Sequence, residues 1–360
     1  MTLRNIMQSC RRGGMMERNH VASALPHQGP PLNPAEIQRL QSRFPEFLGT
    51  SRPLIRLLQQ IEKVISSDST VLIHGESGTG KELVGRAIHR LGPRKAGPFI
   101  CENCAAISPN LLDGELFGHD RGAFTGATSE RAGLIESAEG GTLLLDEIGE
   151  MEAALQSKLL RVLQEREIRR VGSTRTRKVD FRLLAATHRD LEQEIQAGRF
   201  REDLRYRIDV LRVEIPPLRQ RRQDIPLLCQ NFLRAFCKRN SCPVPNFSAD
   251  ALTVLIGAPW KGNIRELRNE MERVSAAGKA RILVEDLSPS LHRASVPHPI
   301  ARRLRAELGT DLRKLEEVVL GGIVRDVLTE TDGNKAQAAR ILGIPKTTLY
   351  RRLERWHLLS

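Results

Sequence analysis

The stretch Gly75-Glu76-Ser77-Gly78-Thr79-Gly80-Lys81-Glu82 has the residue types and the spacing that hold phosphate. Glycines 75, 78 and 80 let backbone N–H groups wrap phosphate oxygens, a following helix N-terminus adds its dipole, and Lys81 has the reach for β and γ phosphates. One position departs from the strict pattern, because Glu82 stands where a Ser or Thr would hold Mg2+. Further along, GGTLLLDEIGE at 140–150 ends an apolar run in Asp146-Glu147. Carboxylates at the carboxyl end of a buried strand sit where open α/β sheets bind ligands. There Asp146 can hold Mg2+, directly or through water, and Glu147 can polarise an attacking water. Alone, a strand ending in Asp-Glu is as readily a solvated strand end; beside the phosphate loop, the pair points to ATP hydrolysis.

Positioning these groups requires strands that end at a common edge and helices that cover both faces. Short apolar runs at 71–73 and 143–145 alternate with helical segments at 54–65 and 153–164, and the phosphate loop leads into a helix over 82–89. That alternation predicts an α/β fold with a parallel sheet. Further strands are expected over 181–185 and 210–215, the second stopped by Pro216-Pro217. Beyond the prolines the pattern is helical at 223–238, 249–256 and 263–277, a helical subdomain appended to the α/β core. Residues 278–310 have the Ser, Pro, His and Arg content of a linker, and residues 1–43 read as a mostly disordered arm.

The 360 residues carry a formal charge of +13, so a polyanionic partner is expected, nucleic acid before a membrane surface, with mere solubility as the alternative. No apolar run approaches the length of a membrane span and the start lacks a signal-peptide core, which points to the cytoplasm. Six irregularly spaced cysteines do not resemble a disulfide framework, and CENC at 101–104 lacks a second ligand pair, so buried apolar thiols are expected rather than zinc. GNKAQAARILGIPKTTLYRRLER at 333–355 reads as helix, turn at Gly343-Ile344, and a second helix opened by Pro345. Ile344, Leu349 and Leu353 fall on its buried face, leaving Lys346, Thr347, Thr348, Arg351 and Arg352 for phosphates and base edges, or for a solvated basic face. The uncharged Gly122-Ala123-Phe124-Thr125-Gly126-Ala127, between segments expected at 111–117 and 132–138, is either an exposed apolar loop tip that meets a partner or a buried turn.

These residues resemble the AAA+ transcriptional activators of sigma-54 RNA polymerase. GESGTGKE, ELFGHDRGAFTGA, GGTLLLDEIGEM, GRFREDLRYRI and WKGNIREL occur in that family's order, and the resemblance runs from about Phe44 to the C-terminus. It implies an AAA+ P-loop NTPase core at 44–220, a helical lid at 221–290, a linker at 291–310 and a Fis-type helix-turn-helix domain at 311–360. The family tolerates Glu after the lysine. Residue by residue, Lys81 resembles the phosphate-binding lysine, Asp146 the Mg2+ ligand, Glu147 the water-activating glutamate, and Asn103 the asparagine that restrains it. Thr187-His188 resembles the first sensor, with Asn in place of His188 in some members, and Arg265 the second sensor. Lys261 stands where a proline is usual. Arg201 and Arg207 resemble arginine fingers acting on a neighbouring subunit's ATP, although spacing alone does not separate them from the nearby Arg205 and Arg212.

The resemblance further implies a hexameric ring with ATP and Mg2+ between subunits. Residues 122–127 would touch sigma-54 in the RNA polymerase holoenzyme, and the terminal domain would bind upstream activating DNA as a dimer through a helix at 312–328. Gly321-Gly322 in that helix costs about 1 kcal/mol per glycine relative to Ala, which weakens its pairing. With about 43 residues before the core and no receiver-like pattern in them, control by a regulatory protein acting in trans is expected. Two other readings compete: a DNA-binding regulator whose AAA+ core only oligomerises, and a P-loop motor unconnected with transcription, against which the helix-turn-helix argues.

Overall fold

The computed structural model describes residues 33–123, 129–294 and 334–355, with residues 324, 327, 328 and 331 besides. Phe124, Thr125, Gly126 and Ala127 lie outside the described residues, as does most of the helix expected at 312–328. With strands numbered along the chain, β1 (Val71–His74), β2 (Phe99–Asn103), β5 (Thr142–Asp146), β8 (Arg182–Thr187) and β9 (Leu211–Glu214) form one parallel sheet in the order β2-β5-β8-β1-β9. β5 and β8 are buried along almost their whole length, which explains their unbroken apolar runs. Register fixes the working edge: Asn103 pairs with Asp146, and His74 with Thr187 and Glu214. β8 runs two residues beyond the expected Ala185 and so carries Thr187 to that edge.

Helices α2 (Arg52–Ile65) and α3 (Lys81–Leu91) cover one face, where Leu54, Leu58, Ile61, Val84 and Ile88 pack on β1 and β8. On the other face α4 (Pro109–Phe117), α5 (Leu134–Ser137) and α6 (Ala153–Glu165) contribute Leu112, Leu116, Ile135, Leu155 and Leu159, alongside α7 (Leu191–Gln196) and α8 (Glu202–Ile208). The arm expected at 1–43 is corrected at its end: α1 (Pro34–Arg43) is helical, with Leu40 and the following Phe44 fully buried against α2. Asn33 caps it by accepting the Ala35 N–H, and Pro34 presets its first turn.

Two antiparallel hairpins stand off the sheet. β3 (Gly118–His119) with β4 (Arg131–Ala132) is the stem of the loop that carries Gly122 and Ala123, and β6 (Glu167–Arg169) pairs with β7 (Thr176–Lys178) beside it. Arg170, almost wholly buried, joins them through a bidentate bond to Glu136 at 2.7 and 2.8 Å and a 3.5 Å contact with Glu130. A burial that deep for a guanidinium is stable only when it is paired.

The lid packs α9 (Ile225–Asn240), α10 (Ala249–Gly257), α11 (Asn263–Ala276) and α12 (Pro289–Ala294) around Cys229, Leu255, Trp260, Leu267 and Met271. A two-stranded parallel pair, β10 (Asn246–Phe247) with β11 (Arg281–Ile282), closes it. The linker composition that begins at 278 is misleading, since Ile282, Leu287 and Leu291 are buried in this core. At the C-terminus α13 (Lys335–Ile341) and α14 (Lys346–Arg355) enclose Ala338, Ala339, Leu349 and Leu353, with Gly343 at φ +63 in the turn between them.

Candidate nucleotide site

The phosphate loop leaves β1 at its carboxyl end, where Gly75 N–H donates to the Thr187 carbonyl of β8 at 3.2 Å. Thr79 folds it back by donating its hydroxyl to the Glu76 carbonyl at 2.7 Å, and Gly78 and Gly80 take positive φ. Lys81, at the first turn of α3, is buried and reaches the Gly75 carbonyl at 3.3 Å and Glu147 Oε1 at 2.9 Å. A cleft of about 660 Å3 opens here, lined by Ser77, Gly78, Gly80, Lys81, Glu82, Asn103, Asp146, Glu147 and Arg265. Most of the residues singled out from sequence for phosphate chemistry therefore meet in one place. Glu82 sits exposed on the first turn of α3 and pairs with Arg86 one turn on.

Asp146 and Glu147 differ in environment. Burial raises the Asp146 carboxyl above its ordinary value, and neighbouring Glu147 adds to this against the pull of Lys81. Burial also works to raise Glu147, but hydrogen bonds from Lys81 and His188 outweigh it and hold this carboxyl below its ordinary value. His188 contributes its ring Nδ1 at 2.6 Å and its backbone N–H at 3.2 Å to Glu147 Oε2. Asn103 does not bond Glu147 in this structure: its side-chain oxygen accepts the Ala105 N–H at 2.9 Å, and Glu147 is held by Lys81 and His188 instead. Glu147 also has a left-handed backbone, φ +54, which aims its side chain back over the sheet edge.

From the lid, Arg265 donates to Ser77 Oγ at 3.3 Å. Arg201 and Arg207 lie elsewhere, exposed on or beside α8. Arg201 pairs with Asp203 at 2.7 Å, and Arg207 donates to the Leu163 carbonyl at 2.8 Å. Neither lines this cleft. Cys101 and Cys104 are partly and almost fully buried, and burial pushes their thiols up to about 11 and about 12.

Two residues escaped sequence reasoning. Arg182, 1% exposed, donates to the Val64 carbonyl at 2.8 Å and the Ile65 carbonyl at 3.4 Å, capping the last turn of α2. An isolated Arg within an apolar run was its signal. Asn263, fully buried at the start of α11, hydrogen-bonds the phosphate loop; Asn after a lid glycine gave no hint of a partner so remote in sequence.

On α14, Lys346, Thr347 and Arg351 are exposed, whereas Thr348 is half-buried against the expectation of a fully outward position. Arg352 lies on the same helix. Tyr350 joins the exposed face, with Lys335 Nζ 5.5 Å from its ring centre. In the loop stem, Gly122 has φ +83 and open space around it, and Ala123 packs against Gly172 at the end of the neighbouring hairpin.

Residues 47–214 match the family described as Sigma-54 interaction domain, 219–302 the AAA+ ATPase lid domain, and 322–356 the bacterial regulatory protein, Fis family. Transcriptional regulatory protein ZraR of Salmonella typhimurium is 48% identical over 309 residues, covering 86% of this chain and 68% of that protein. The Nif-specific regulatory protein of Herbaspirillum seropedicae is 50% identical over 250 residues, 69% of this chain and 46% of that protein. NtrX from Brucella abortus, solved in complex with ATP, aligns with a TM-score of 0.66 at 33% identity, over 90% of this chain and 72% of that chain. Sheet order, phosphate loop and lid thus define an AAA+ P-loop NTPase fold that carries a Fis-type helix-turn-helix domain. Within that class, the chain belongs to the sigma-54-dependent transcriptional regulators.

Proposed function

We propose that this protein binds upstream DNA and uses ATP hydrolysis in a hexameric ring to drive sigma-54 RNA polymerase from the closed to the open promoter complex. The observation that carries this reading is the convergence of Lys81, Asp146, Glu147 and Arg265 on one cleft at the carboxyl edge of the sheet. The donor set suits Mg2+: a carboxylate that burial disfavours is stabilised by a divalent cation, and Asp146 is that group. Such an ion would neutralise charge on the transferring phosphoryl group. Lys81 would move from Glu147 onto the β and γ phosphates, and Thr187 and His188 would sense the γ-phosphate. Relieved of Lys81, the Glu147 carboxylate becomes a stronger base toward water.

Arg201 and Arg207 would complete the site of the adjacent subunit, which fits their exposure and their distance from the local cleft. The loop at 122–127 would rise on its β3–β4 stem to touch sigma-54 through Phe124 and Thr125. Lys346, Thr347, Thr348, Arg351 and Arg352 would bind DNA from a dimeric terminal domain, with Tyr350 added to their surface.

The test uses purified protein, sigma-54 holoenzyme and a supercoiled promoter, scored for open complexes with ATP. Wild type should open the promoter, and Thr125→Ala should hydrolyse ATP without opening it. A wild-type protein that hydrolyses ATP yet never opens the promoter would instead favour a regulator whose core only oligomerises.

A further inference from the structure

Asn263 opens the lid helix α11 and is fully buried, with φ +52, a conformation that among side-chain-bearing residues Asn tolerates best. Its Nδ2 donates to the Ser77 carbonyl at 3.1 Å and to Glu76 Oε2 at 3.2 Å, both in the phosphate loop. Its Oδ1 accepts the Leu218 N–H at 2.8 Å, where the chain crosses from the α/β core into the lid. One amide thus joins loop, lid helix and crossover. Beside it the Gly78 carbonyl accepts the Ile264 and Arg265 N–H groups at 3.0 and 3.3 Å. Loop and lid approach so closely that a Cβ on Gly78 would meet the Gly262 carbonyl at 2.3 Å. Arg219 adds an outer tie, bidentate to Glu76 at 2.6 and 2.7 Å.

A phosphate loop must present its N–H groups inward to an anion, and here the Ser77 and Gly78 carbonyls and the Glu76 carboxylate are held by the lid. Any change in the loop's backbone on filling or emptying is therefore passed to α11, and with it to Arg265, two residues beyond Asn263. We propose that Asn263 is a positioning residue that clasps the lid to the phosphate loop, so that loop occupancy sets the lid angle and the placement of Arg265. This rests on reading the cleft as a nucleotide site. The chemistry of the clasp is specific: it needs a donor toward Ser77 and an acceptor toward Leu218 on one short side chain in a left-handed backbone. Asn supplies both from separate atoms, Nδ2 donating and Oδ1 accepting, where a short hydroxyl would have to serve both partners from one oxygen.

The experiment compares full-length wild type with Asn263→Gly, which keeps the left-handed backbone, with Asn263→Asp, which keeps only the acceptor, and with Arg219→Ala, whose exposed side chain is not needed for folding. Amide hydrogen exchange in the nucleotide-free protein should accelerate at Ile264 and Arg265 by about tenfold in both Asn263 variants, the scale of one lost buried hydrogen bond, with β5 and α9 unchanged. Release of a fluorescent ADP analogue should quicken by a similar factor, and KM for ATP should rise more than kcat falls. Arg219→Ala should accelerate release by about threefold, the scale of a partly exposed ion pair. Unchanged exchange and release in Asn263→Gly, or faster exchange spread evenly through α9 and α11, would overturn the proposal; should neither Asn263 variant fold, unchanged release in Arg219→Ala would do so. Absence of ATP hydrolysis by wild type would sink the ATPase reading, while exchange in the nucleotide-free protein would still decide the clasp.

Discussion

Glu147 is held in three ways: by a left-handed backbone, by Lys81 and by His188. A non-glycine residue in that conformation costs on the order of 1–3 kcal/mol, which the surrounding contacts must offset, so its side chain is aimed rather than free. Paired with Lys81 and His188, the carboxylate is held below its ordinary value, a poor base. Replacing it tests the proposed role directly. Glu147→Ala should leave ATP binding within a few-fold of wild type while lowering kcat by about 10²–10⁴-fold, the usual share of a positioned acid or base. Equilibrium binding of a fluorescent ATP analogue and steady-state phosphate release measure the two, and near-normal turnover would remove Glu147 from the mechanism. The residues that line the candidate cleft are legible in the sequence because loop and strand end announce themselves locally. The bonds from His188 to Glu147 and from Asn263 to the loop are not, since each joins segments that only the folded sheet and lid bring together.

At the scale of elements, regular pieces were read well and their margins poorly. α1 was missed although Asn33-Pro34-Ala35-Glu36 is a helix start, because its short apolar stripe gains meaning only against α2. Residues 278–310 have the polar composition of a linker, yet three of their apolar side chains, Ile282, Leu287 and Leu291, dock on the lid. Glu270 of α11 anchors that return. It accepts the Ser288 N–H at 2.8 Å and the Ser288 hydroxyl at 2.5 Å, and pairs with Arg273 at 2.7 Å. Burial opposes its ionisation, but the Arg273 and Ser288 hydrogen bonds win and place its carboxyl below the ordinary 4.5. A depressed folded value means stabilisation that is complete above about pH 4.5 and lost as pH falls through the folded value. Glu270→Gln should thus destabilise the lid by about 1–3 kcal/mol near neutrality, with the gap to wild type closing below that point. Urea titrations monitored through Trp260, in the lid core, at a series of pH values would show it; a gap that stays constant with pH would refute the charge argument.

Across the whole molecule, two exposed arginines on the far side of α6 and α8 have local partners and no local phosphate cleft. In a closed ring every subunit presents one such surface to its neighbour's opposite surface, so a head-to-tail contact can place Arg201 and Arg207 at the next subunit's cleft. A guanidinium there stabilises transition-state charge only once the interface forms. Two inactive variants should then rescue each other. Arg207→Ala keeps an intact Glu147 but offers no finger; Glu147→Ala offers its finger but cannot activate water. In an equimolar random mixture about one interface in four joins an intact cleft to an intact finger, so ATPase activity should return to about a quarter of wild type, or lower if neighbouring sites fire together. Fingers acting within their own subunit would leave the mixture at the sum of its inactive parts. The measurement is phosphate release across mixing ratios at a fixed total concentration high enough to hold the ring together. A curve peaking between the pure variants supports action across the interface, and a straight line between them rules it out.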